Sequence, residues 1–105
     1  MSFARNRNTM KYLGSLRGEG ALAADIEEGA PTLGRVSYEI DGYSDRSQRT
    51  AAGCIEGDAH TLTQAYEARN VHLRLSSGST SVELVLADPR GGSWAEVTIT
   101  GPFPL

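Results

Sequence analysis

The sequence predicts a mainly β protein: a small antiparallel barrel or rolled sheet of six to seven strands, with one short α-helix at about residues 58–68. Three observations predict it. Apolar residues recur at every second position through most of the chain. The alternating runs are short and bounded by clusters of Gly, Pro, Asp and Ser. One stretch alone carries an apolar helical stripe behind a good N-cap. Strands of this length and spacing suit a barrel or a sandwich equally.

The 105 residues read as one domain, residues 1–105, with 1–9 a flexible N-terminus and 101–105 a C-terminal tail. A hydrophobic fraction of 39% with 7% aromatics predicts a small aliphatic core.

From Met10 the even positions Met10, Tyr12, Gly14, Leu16, Gly18, Gly20 and Leu22 form one face, with Leu13, Arg17 and Glu19 on the other. The phase runs on to Ile26, so a long bent strand is expected, although residues 21–28 also have the composition of a helix. After the turn at 28–32 comes a strand with Val36, Tyr38 and Ile40 inward. A loop at 44–48 leads to a third, with Ala51, Gly53 and Ile55 inward. Asp58 is the N-cap of the helix, whose stripe is Ala59, Leu62, Ala65 and Tyr66, with Asn70 near its end.

Three strands close the chain, with inward sets Val71, Leu73, Leu75; Val82, Leu84, Leu86; and Ala95, Val97, Ile99. If residues 87–93 close a simple hairpin, Leu86 faces Ala95 and Val85 lies diagonal to Trp94 on the outside. Pro102 and Pro104 stop the tail from extending the last strand.

Gly18-Glu19-Gly20-Ala21-Leu22-Ala23 matches the dinucleotide-binding pattern G-x-G-x-x-G/A. That loop needs a buried parallel strand before it and a substantial helix after it. Here the preceding strand alternates, and a helix from Ala21 must end by Pro31. The glycines are better read as structural: on the inner face of a strand they permit a bend or the close approach of another backbone.

No nucleophile elbow is present, and no His or Cys pair has the short spacing of a chelate. Catalytic, cofactor and metal residues are therefore none, and no cofactor is expected. A metal-assisted hydrolase using Asp58, His60 and Cys54 is the weakest reading. A net charge of −3 argues against a general binder of nucleic acid. Arg46 and Arg49, with Tyr43 and Ser47, still form a compact basic–aromatic cluster, and an oligonucleotide- or anion-binding barrel is the alternative function.

The leading expectation is a non-enzymatic binding or structural module that self-associates, as a homodimer. Its interface candidates are Trp94, Val85, Leu13 and Tyr43, apolar residues on outward phases. Trp94 is expected to be covered, by the tail carrying Phe103 or by a second subunit. A single cysteine, Cys54, and the lack of a signal-like or membrane-length apolar run lead to the expectation of a cytoplasmic protein.

Overall fold

The computed structural model describes residues 10–24, 32–45, 48–68, 71–76 and 80–104. Its six strands are β1 (Met10–Ala24), β2 (Thr32–Asp45), β3 (Gln48–Gly57), β4 (Val71–Arg74), β5 (Ser81–Leu86) and β6 (Trp94–Ile99). They close into one antiparallel barrel in the order β1-β2-β3-β6-β5-β4, with β4 returning to β1 at Ala21↔Arg74 to Ala24↔Val71. The barrel is thus the form taken, and the strand number is six.

Within the barrel, alternate side chains of β2, β4, β5 and β6 enter the core, as the period of a half-buried strand requires. Val36, Tyr38 and Ile40 meet Ile55, Leu73, Leu84, Ala95 and Val97 inside, all of them buried. Tyr38 is the large polar exception. Its hydroxyl is satisfied by Ser76, through the backbone N–H and through Oγ, each at 3.1 Å.

The helix α1 (Ala59–Glu67) closes one end of the barrel. The Asp58 carboxylate accepts from the N–H groups of His60 at 3.0 Å and Thr61 at 3.3 Å, which fixes the first turn. Leu62 is fully buried, and Thr61 packs against Gly34 at the start of β2. The buried stripe is Thr61, Leu62 and Ala65. Tyr66, expected among the apolar stripe, is 46% exposed, and Thr61 joins the buried set in its stead, packed against Gly34. Asn70 lies outside the described residues.

The glycines of the dinucleotide-like stretch serve the barrel seam. Gly18 stands opposite Tyr38 in the β1–β2 ladder, and a β-carbon there would lie 3.1 Å from the Tyr38 hydroxyl. A β-carbon at Gly20 would run into the backbone carbonyl of Arg74, where β4 crosses to join β1. The strand persists through Ala24, so residues 21–24 are strand; 25–28 lie outside the described residues.

At the other end the tail turns inward. Phe103 is partly buried against the core, and its ring covers Gly42, with Cε2 2.6 Å from where a β-carbon would stand. Beyond that plug β1, β2 and β3 continue as a lobe, since β3 pairs with β6 no further than Ala52↔Thr98. The molecule measures 51 Å along its long axis, with a radius of gyration of 15.0 Å. A compact chain of this size has a radius of about 13 Å.

Two register expectations are corrected. A bulge between Tyr12 and Gly14 makes Leu13 the extra residue of β1. Tyr12 therefore pairs with Tyr43 on the outer face and is 56% exposed instead of inward, and Leu13 is only half-buried. In the β5–β6 hairpin Leu86 faces Val97, not Ala95. Residues 87–93 form a longer connection, with the Arg90 N–H donating to Asp88 and the Gly92 N–H to the Pro89 carbonyl.

Candidate functional site

The interior of the barrel is packed with buried side chains, with Leu62 toward one end and Phe103 toward the other. What the chain offers a partner is its exterior, and register places that exterior in rows.

Across β1, β2, β3 and β6 the outward residues align as Glu19–Ser37–Glu56–Trp94, then Arg17–Glu39–Cys54–Glu96, then Ser15–Asp41–Ala52–Thr98. Tyr12–Tyr43–Thr50 forms a last row on the lobe. The upper part of this face is acidic, with Glu19, Glu39, Asp41, Glu56 and Glu96 set against Arg17. Arg17 pairs with Glu39 at 3.0 Å, and Arg35, from the edge of the same face, pairs with Glu19 at 3.4 Å. Both pairs are exposed and contribute little to stability. Asp41 accepts from Ser15 Oγ at 3.0 Å and from the Tyr12 hydroxyl at 3.4 Å. Glu56 and Glu96 have no ion-pair partner among the described residues.

Trp94 begins β6 opposite Glu56 and is 50% exposed. The tail does not cover it. Phe103 runs to Gly42, at the opposite end of the barrel, so the expected capping of Trp94 by the tail is overturned. Trp94 instead stands between two surface hollows. One, of about 390 Å³, is lined by Asp88, Pro89, Arg90 and Glu96. The other, of about 140 Å³, lies over β2 and β3 and is lined by Ser37, Glu39, Cys54 and Glu56.

The interface candidates separate. Val85 is exposed but pairs with Thr98, which lies further along β6 than Glu96, so it shares no patch with Trp94. Leu13 and Tyr43 fall on the lobe. There Tyr43 meets Tyr12, ring centroids 5.5 Å apart with planes at 55°. Sequence alternation missed Tyr12 because the bulge reverses its phase; the exposed pair was legible only through the register.

Of the ligand candidates, Arg49 is the one among the described residues, and it does not share a face with Tyr43. Arg49 pairs in the ladder with Ser44, one position from Tyr43↔Thr50, and so belongs to the other face of β3. Arg46 and Ser47 lie outside the described residues. Cys54 sits mid-strand between Glu39 and Glu96, while Asp58 serves as a helix cap and His60 is exposed in the first turn. Among the described residues no three His, Cys, Asp or Glu side chains come together as metal ligands. No helix among them is long and apolar enough to cross a membrane. The glycine stretch borders a broad hollow of about 440 Å³ with Arg35, Arg74 and Glu19 on its rim, where Glu19 pairs with Arg35.

The chain matches no known family, no curated protein and no solved structure.

Proposed function

We propose that this chain is a non-enzymatic binding module that self-associates through the projecting lobe, with a two-fold dimer as its simplest closed form. The observation that carries this reading is the Tyr12–Tyr43 pair: two aromatic rings, 56% and 37% exposed, on a lobe whose strands, among the described residues, pair only with one another. Aromatic residues with a polar tip are the ones enriched where protein surfaces meet. The lobe also carries charges of both signs, Lys11 and Arg49 with Asp41 and Asp45, so a two-fold copy can set unlike charges together.

Association by strand addition is disfavoured. The β1 edge from Lys11 to Glu19 pairs with no described strand except β2, but it carries a lysine and the Leu13 bulge, two devices that blunt an edge. The contact is therefore through faces and rings. Nucleic-acid binding is less supported, since Tyr43 stands in the row next to Asp41 and not beside Arg49. A cytoplasmic setting suits the lone Cys54, which stays a thiol there.

Sedimentation equilibrium tests the reading. The wild-type chain is expected to approach dimer mass, and Tyr12→Ser with Tyr43→Ser to sediment as monomer with its β spectrum unchanged. A wild type that stays monomeric at every concentration would remove the proposal.

A further inference from the structure

The geometry points to a second, separate site: a receptor on Trp94, Glu56 and Glu39 for an arginine side chain of a basic protein segment. Trp94 is half exposed although an indole gains much from burial, and Phe103 of the tail lies against Gly42 instead. The residue directly across from it is Glu56, a carboxylate with no ion-pair partner among the described residues. Between Trp94 and Glu39 lies the hollow of about 140 Å³, floored by Cys54 and edged by Ser37. That volume accommodates the head of one side chain.

Charge decides the occupant. An indole face attracts cations, and a neighbouring carboxylate accepts the paired N–H donors of a guanidinium. A flat guanidinium satisfies both at once, stacking on the ring while its fork reaches Glu56; a round ammonium does less of each. The same face already holds one guanidinium, Arg17 on Glu39 at 3.0 Å. A second copy of the chain is the poorer occupant, because the carboxylates Glu19, Glu39, Glu56 and Glu96 outnumber Arg17 and Arg35 on this face, so two copies would meet with net like charge. Nucleic acid and acidic proteins are repelled for the same reason. The partner is thus a protein that offers arginine, docking at low salt more tightly than at high salt.

The test titrates the full chain at low salt with a blocked Gly-Arg-Gly-Arg-Gly peptide, following the fluorescence of Trp94, the one tryptophan present. A saturable change is expected, and none with the same peptide carrying uncharged citrulline for arginine. Glu56→Gln is expected to weaken binding about tenfold, as loss of a charge-assisted contact does. Trp94→Leu, read by calorimetry, is expected to weaken it similarly, and Glu67→Gln on the helix to leave it unchanged. No saturable change in the wild type, equal binding of the citrulline peptide, or an unaffected Glu56→Gln would each overturn the site. A lysine peptide binding as tightly would overturn the guanidinium assignment. None of these variants touches the lobe, so a failed arginine titration with an intact dimer strikes this inference alone.

Discussion

Gly20→Ala tests the closure of the barrel. A β-carbon at Gly20 would enter the space of the Arg74 carbonyl oxygen and stand 3.2 Å from the Arg74 carbonyl carbon and 3.3 Å from Tyr38 Cε2. The main obstacle is backbone, so no rotamer change relieves it; β4 must move away from β1 at Ala21↔Arg74, where the barrel shuts. Overpacking of this kind costs roughly 1–3 kcal/mol. Against it stands the gain from replacing a strand glycine, about 0.5–1 kcal/mol. The difference spans about 0–2.5 kcal/mol, and because the obstacle is a backbone oxygen the upper part, about 1–2.5 kcal/mol, is expected, which for a domain near 100 residues lowers the melting temperature by roughly 4–20 °C. Thermal and urea unfolding followed by far-ultraviolet circular dichroism measures it. Gly91→Asn is the control, since Gly91 has φ +74° in a turn with nothing within 4 Å of its would-be β-carbon, and asparagine tolerates that conformation. If Gly20→Ala melts with the wild type, β4 does not approach β1 this closely and the closed barrel is wrong. A phosphate-binding role for Gly18 and Gly20 would also leave the melt untouched.

Two further substitutions test how the barrel ends are closed. Phe103→Ala strips a partly buried ring from Gly42 and is expected to cost about 2 kcal/mol, taking some 80–100 Å² at 25 cal/mol per Å². Trp94 fluorescence should not shift in that variant; a red shift would mean that the tail reaches the indole after all. Asp58→Ala removes the acceptor for the His60 and Thr61 N–H groups and is expected to cost about 1 kcal/mol, with Asp58→Asn close to neutral. Equal stability of the alanine and asparagine variants would contradict the capping role.

Strict alternation made the fold readable. Wherever a strand kept its period, as in Val36–Ile40, Val71–Leu75 and Ala95–Ile99, the inward set followed from the residues alone. The helix was equally plain, because Asp58 precedes one isolated 3.6-residue stripe. The misses share a cause, a local change of count. One extra residue at Leu13 turned Tyr12 outward, and a long connection over residues 87–93 moved Leu86 from Ala95 to Val97. Nothing in the run of letters marks either change.

The acidic face was hidden for a different reason. Glu39, Glu56 and Glu96 are far apart in sequence and look like ordinary solvated acids one by one. They gather around Cys54 and Trp94 only because β6 inserts beside β3. Trp94 itself was correctly placed on an outer face, but its cover was not foreseeable. The tail, one of the two covers expected beside a second subunit, goes instead to the bare backbone of Gly42.

The central claim is that a filled, rigid barrel works through its exterior, first of all through the lobe. Amide nitrogen–proton correlation spectra recorded from micromolar to millimolar concentration test it most directly. The account predicts shifts confined to Lys11–Ser15, Asp41–Asp45 and the start of β3, with Leu22, Ile40, Ile55, Leu73 and Leu84 unmoved. Spectra that do not change with concentration, or changes that spread through those core residues, would contradict it.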